Sequence, residues 1–213
     1  MSETLAEKTY SIIEEKIVKL EYQPGSFITE NFLEKNLKCG RTPIREAIQK
    51  LAGEGLIKVL PRKGLLITEI NINEQLSLVQ VRREIERLMA KLAAKNSNIN
   101  EKKQFKEIST AMKKCRQNDT VKFIKLDRQM NDLLSLSCGN EFVRRSIKLV
   151  ASLSRRFWFY RNKGEIEDLI VMAKLHSAVC DAISQGNQKL AQLKSDKLMD
   201  YIENFTKDSI NNI

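Results

Sequence analysis

The sequence predicts a mainly α protein in two parts. A winged helix-turn-helix occupies residues 1–70, and an all-α antiparallel bundle of six helices occupies residues 73–213. Three observations carry this reading. Apolar residues recur at helical spacing along most of the chain. Two short apolar runs around Pro61-Arg62-Lys63-Gly64 read as a β-hairpin. From residue 73 onward, short breaks rich in Asn, Ser and Gly separate the helical segments, and short connections place antiparallel helices side by side.

The N-terminal elements follow in order. Residues 4–20 form an amphipathic helix, with a capping box between Thr4 and Glu7. Leu5, Ile12, Ile13, Ile17 and Leu20 make its apolar stripe, with Tyr10 at the edge. Tyr22-Gln23-Pro24-Gly25 is a turn by its Pro-Gly pair. Thr29 caps a second short helix that points Phe32, Leu33 and Leu37 inward, and Lys38-Cys39-Gly40 is the tight connection to a third. In that third helix Thr42 is read as N-cap and Pro43 as the first helical residue, where the missing N–H costs nothing. Ile44, Ala47, Ile48 and Leu51 form one apolar face, Arg45 and Gln49 share another, and Gly53 and Gly55 end the helix.

Charge adds a second line of argument. The chain of 213 residues carries a formal net charge of +10. Residues 1–34 hold Lys8, Lys16 and Lys19 against seven glutamates, whereas residues 35–63 hold eight Lys and Arg against Glu46 and Glu54. The positive charge is thus concentrated on the third helix and hairpin, next to an acidic segment. That asymmetry is the footprint of a surface that meets a polyanion.

These pieces resemble the N-terminal DNA-binding domain of the GntR family of bacterial transcription regulators. The likeness rests on Pro24-Gly25, Arg41-Thr42-Pro43-Ile44-Arg45-Glu46-Ala47, Leu51-Ala52-Gly53-Glu54-Gly55-Leu56-Ile57 and Arg62-Lys63-Gly64. The resemblance implies that Arg41 and Arg45 contact guanine edges or phosphates and that Thr42 contacts phosphate or backbone at the helix N-terminus. It also implies that Gly64 lets the wing tip, with Arg62 and Lys63, approach the minor groove. Gln49 joins the list by sharing the outward face with Arg45. The family usually has Ser where this chain has Gly40.

The second part divides into helices over 73–95, 100–117, 121–138, 141–160, 165–185 and 188–211, with Asn162-Lys163-Gly164 separating the fourth from the fifth. The first of them points Leu76, Val79, Val81, Ile85, Leu88, Met89 and Leu92 inward. This part resembles the effector-binding domain of the FadR subfamily. The matching pieces are Val81-Arg82-Arg83-Glu84-Ile85-Glu86, Leu126-Asp127-Arg128-Gln129-Met130-Asn131, Gly139-Asn140, His176 with Asp181-Ala182-Ile183, and Gly186-Asn187. Six helices rather than seven point to its shorter, VanR-like branch.

Many members of that subfamily hold a divalent metal with one Asp and three His, and the metal helps bind a carboxylate effector. Carried over by position, the Asp is Asp127 and the histidines fall on Asn131, His176 and Leu198. Two of four ligand positions therefore lack a good donor. The expectation is no metal cofactor, with Asp127 and His176 the only candidates. Asp127, Asn131 and His176 then form either a mutually satisfied polar cluster or a metal-free effector pocket, in which His176 and Arg82 bind an anion directly. Arg82 has its own competing partner in Glu86, one helical turn away. Arg155-Arg156-Phe157-Trp158-Phe159-Tyr160-Arg161 is read as core with a basic rim in preference to a base-stacking surface.

Other classes are disfavoured. One histidine, no Cys-His neighbour pattern and no Gly-rich phosphate loop give little to an enzyme. No apolar run is long enough to span a bilayer, and no basic head precedes an apolar core as in a secretory signal. Four scattered cysteines suit a reducing cytoplasm. The expected protein is a homodimeric transcription regulator, a repressor by family analogy, that binds an inverted-repeat operator under control of a small organic acid. The other reading is a regulator whose helical domain has lost metal and effector sensing and serves for dimerisation or protein interaction.

Overall fold

The computed structural model describes residues 4–162 and 168–211. Its element order is α1 (Leu5–Val18), β1 (Phe27–Ile28), α2 (Glu30–Leu37), α3 (Arg41–Gly53), β2 (Ile57–Leu60), β3 (Gly64–Ile67), α4 (Ile72–Asn96), α5 (Ile99–Lys113), α6 (Thr120–Ser137), α7 (Glu141–Asn162), α8 (Leu169–Ser184) and α9 (Gln188–Asn211). The six expected C-terminal helices are α4 to α9. Lys163 and Gly164 of the expected break, and residues 165–167 at the expected start of the next helix, fall outside the described residues.

The described chain forms two compact units. The first contains the residues up to Gln75 and also the end of α7, from Lys148 onward; the second contains the remainder of α4, α5, α6, the start of α7, α8 and α9. The first unit thus recruits a helical segment from far along the chain, beyond the expected boundary at residue 70.

In the first unit, α1 packs on α3, and α3 packs on α2 and β2. Ile13, Ile17, Leu33, Ile44, Leu51, Leu56 and Ile67 are fully buried together. Ile44 and Leu51 lie on one α3 face, and truncating either to Ala would cost about 2–5 kcal/mol. The Thr4–Glu7 capping box forms, and Thr29 caps α2 by accepting from the Phe32 N–H. The sheet has three strands in the order β1-β3-β2, all pairs antiparallel, so the hairpin gains a short third strand at Phe27 and Ile28.

Several expected orientations are corrected. Leu5, Ile12 and Phe32 are exposed. The small unit covers α1 mainly along Ile13, Ile17 and Val18, while Phe32 packs edge-on against Tyr22 at 6.0 Å between ring centroids. The N-cap of α3 is Gly40, which offers no side chain, and the helix begins at Arg41. Thr42 is therefore inside the first turn and not the cap. Pro43 sits third, still among the residues whose N–H has no intrahelical partner.

In the second unit α8 is central, packing on α5, α6 and α9. Its Leu169, Met172, Ala173, His176, Val179, Cys180, Ala182 and Ile183 are all buried. Asn98 makes a capping box with Glu101 at the start of α5. On α4, Val79 and Met89 are buried as expected, but Val81 and Leu88 are exposed. Those two lie seven residues apart on one line of the helix, outside the stripe that the unit covers.

Candidate nucleic-acid interface and the polar cluster of the helical domain

The basic face is built on α3 because its apolar residues are spoken for. With Ile44, Ala47, Ile48 and Leu51 buried, Arg41, Thr42, Arg45 and Gln49 are left exposed along the opposite face. Behind this face the C-terminal end of α3 is anchored to α1. The Tyr10 hydroxyl donates to Glu54 at 2.6 Å, and the Lys50 ammonium lies 3.8 Å above the Tyr10 ring centroid. Burial pushes the Glu54 carboxyl up, while the Tyr10 hydrogen bond and Lys50 pull the other way. Burial and the Glu54 carboxylate push the Tyr10 hydroxyl up, so it remains a donor.

Neither arginine stands alone. Arg41 Nε donates to Glu34 at 3.1 Å, and Arg45 Nε donates to Glu30 at 2.9 Å. The acidic segment of the sequence thus lies along the basic one. Spacing within α3 gave no sign of these pairs, although the charge asymmetry had pointed to both segments.

At the wing, Pro61, Arg62 and Lys63 join β2 to β3, and Arg62 and Lys63 are exposed. Arg62 has φ 63° and Gly64 has φ 100°. A Cβ on Gly64 would meet the Ile28 carbonyl oxygen at 2.8 Å. Gly64 is therefore required by the protein itself, because the end of the neighbouring strand β1 lies against it.

The arginine run on α7 differs from the expected core with a basic rim. Phe157 is buried, but so is Arg156, at 3% exposure. Arg156 donates to the Thr68 carbonyl at 2.8 Å, to the Thr68 hydroxyl at 2.9 Å and to the Glu69 carbonyl at 3.3 Å. Burial lowers its pKa to about 10, with only the charge of Glu74 opposing. Arg155 pairs with Glu14 on α1. The first arginines of the run thus staple this segment to the winged helix.

In the second unit, Asp127, Asn131 and His176 come together. His176 Nε2 lies 3.1 Å from Asp127 Oδ1, and the Asn131 amide donates to the same oxygen at 3.1 Å. His176 Nδ1 is 2.8 Å from the Met172 carbonyl, which only accepts, so this nitrogen carries a proton. Phe123 packs edge-on against the imidazole at 5.4 Å. Burial works to lower the His176 pKa, but the hydrogen bond and charge of Asp127 outweigh it and the net shift is upward. Arg82 pairs with Glu86 in its own helix, and the Glu86 charge also acts on His176.

The donor set does not fit a transition metal. Among the described residues, no three His, Cys, Asp or Glu side chains group as metal ligands. Asn131 turns its amide nitrogen toward Asp127, and Leu198 is buried at 1% exposure. One imidazole and one carboxylate are too few for a closed zinc-like site.

Comparison with known proteins now decides the family. Residues 5–67 match the model of the bacterial regulatory proteins of the gntR family, and residues 77–200, more than half the chain, match the FCD domain. The chain belongs to the GntR family, in its FadR-like, FCD-containing subfamily. It is similar to the Nta operon transcriptional regulator of Aminobacter aminovorans, 28% identical over 145 residues, covering 68% of this chain and 67% of that one. It is also similar to the HTH-type transcriptional repressor RspR of Escherichia coli (strain K12), 31% identical over 88 residues, covering 41% of this chain and 39% of that one. Among solved structures, E. coli McbR/YncC shares the fold with a TM-score of 0.80 at 14% identity, covering 99% of this chain and all of that one. This GntR protein is a DNA-binding transcriptional regulator with an FCD domain, and its relatives are regulators, not enzymes. Among the described residues, no helix is long and apolar enough to cross a membrane.

Proposed function

We propose that the protein is a cytoplasmic, homodimeric repressor that reads an inverted-repeat operator through α3 and the wing. The observation that carries this reading is the segregation of α3. Arg41, Thr42, Arg45 and Gln49 share an exposed face, while Ile44, Ala47, Ile48 and Leu51 are buried in the core. An Arg at the start of such a helix suits the O6 and N7 acceptors of guanine in the major groove. Arg62 and Lys63 at the wing suit the backbone or minor groove beside it. A two-fold dimer places two such helices about one DNA turn apart. RspR, which resembles part of this chain, carries repressor in its name, and a dimer seated on a promoter excludes polymerase.

The proposed effector is a small organic acid bound without a metal ion in the Arg82, Asp127, Asn131 and His176 region. Such a ligand must compete with Glu86 for Arg82 and with Asp127 for His176. That internal pairing favours a second reading, in which the FCD domain serves mainly for dimerisation. Selection of binding sites from a random duplex library, followed by anisotropy titration with and without a panel of carboxylates, tests all of these elements. The Arg45→Ala variant is expected to lose about tenfold or more in affinity for the enriched duplex. Undiminished affinity would remove Arg45 from the interface. Carboxylates that release no DNA and shift no melting temperature would favour the dimerisation reading.

A further inference from the structure

We propose that Glu30 and Glu34 of α2 are specificity-determining positioning residues, which hold the reading arginines of α3 for bases and against phosphate. The proposal rests on the reading of Arg41 and Arg45 as base contacts.

The two ion pairs form matched rungs. Glu30 and Glu34 are one turn apart on α2, Arg41 and Arg45 are one turn apart on α3, and the pairs run Glu34–Arg41 and Glu30–Arg45. Each bond is made through Nε. Neither bond uses the terminal Nη pair, the fork that grips O6 and N7 of a guanine. The arginine side chains are 69% and 63% exposed, against 25% and 35% for their glutamates. The carboxylates therefore sit deeper, behind guanidinium groups that extend toward solvent.

Two effects follow from this geometry. A guanidinium held at Nε has fewer orientations to lose on docking, which favours a contact that demands one orientation. The same carboxylate cancels much of the arginine's attraction for a phosphate, which is a point charge that any orientation satisfies. The pair therefore costs affinity for arbitrary DNA while preserving affinity for the right base. Exposed pairs of this kind add little to stability, so their value is in discrimination.

The experiment uses the full chain, the duplex enriched by the wild-type protein and a random duplex of equal length. Glu30→Gln and Glu34→Gln are each expected to raise affinity for the random duplex, to steepen its salt dependence, and to lower the ratio of specific to random affinity by roughly fivefold. Glu30→Asp keeps the charge and shortens the reach. It should leave random-duplex binding as in the wild type while still lowering affinity for the enriched one. Glu21→Gln removes an equal charge away from α3 and should leave the ratio unchanged. A Glu21→Gln ratio that falls as far as that of Glu30→Gln would overturn the proposal, since bulk charge would then explain it. Enrichment by the wild type with an unchanged ratio in both Gln variants would overturn this proposal alone. Failure of the wild type to enrich any sequence would overturn the underlying reading and this proposal together.

Discussion

Buried His176 and half-buried Asp127 form a hydrogen-bonded pair in the helical domain, with Nε2 and Oδ1 3.1 Å apart and the other ring nitrogen donating to the Met172 carbonyl. The folded protein therefore holds the His176 proton more tightly than the unfolded chain does. Because the folded pKa is raised, the stabilisation is fully present below the ordinary histidine value near 6.5 and is lost as pH rises through the folded pKa. Stability should fall with rising pH across that window. His176 is the one histidine in the chain, so a single imidazole resonance reports the titration. Its midpoint is expected above the ordinary value in the wild type. In Asp127→Asn, burial is left with less to oppose it and the midpoint should drop below that of the wild type. An unmoved midpoint would break the assignment of Asp127 as the cause.

The same cluster predicts metal behaviour. Purified protein incubated with zinc or nickel and then dialysed should retain well under one equivalent by elemental analysis. Asn131→His combined with Leu198→His puts histidine at the two positions where the resemblance expects it, and this variant should retain about one equivalent. Leu198 is buried, so its circular dichroism must first match the wild type. Stoichiometric metal in the wild type would show that the carboxylate, the amide and one imidazole suffice.

Arg156 offers a stability prediction. Replacing it with Ala removes three hydrogen bonds to Thr68 and Glu69 and the volume of a buried side chain. The cost should be about 2–4 kcal/mol. Arg156→Lys, which keeps the charge but not the fork, should recover only part of it. Trp158, the single tryptophan, lies two residues away and reports urea unfolding by fluorescence. A change below about 0.5 kcal/mol would mean that water replaces the guanidinium without penalty.

Two glycines should respond with opposite signs. Gly64 has φ 100° and the Ile28 carbonyl 2.8 Å from any added Cβ, so Gly64→Ala should cost about 2–4 kcal/mol in thermal unfolding. Gly40 caps α3 with no side chain and has open space around it. Gly40→Ser should stabilise by about a few tenths of a kcal/mol by capping the first turn. If both substitutions destabilise equally, cap chemistry is not what separates them.

Much of this was legible in the sequence. Helical period placed all six bundle helices, because each buries a stripe against its neighbours. The capping pairs at Thr4 and Thr29 were visible because their partners lie within one turn. The outward set of Arg41, Arg45 and Gln49 followed from the inward set of Ile44, Ala47, Ile48 and Leu51. The start of α3 was misplaced at Thr42 because a Gly can cap a helix without leaving a chemical signature. Exposure of Leu5, Ile12, Val81 and Leu88 was missed because periodicity shows which residues share a line, not which line the fold covers.

The sequence by itself determined the family, the two helical parts, the basic character of α3 and the wing, and the presence of Asn131 and Leu198 where the resemblance expects histidine. These depend on residue type and on spacing within one element. Only the tertiary structure decided that Glu30 and Glu34 hold Arg45 and Arg41, that Arg156 is a buried staple on Thr68 and Glu69, and that His176 is paired with Asp127. Each of these joins residues from different elements. Pairing of that kind depends on how helices cross and which side chains lose water together, and no period along the chain records it.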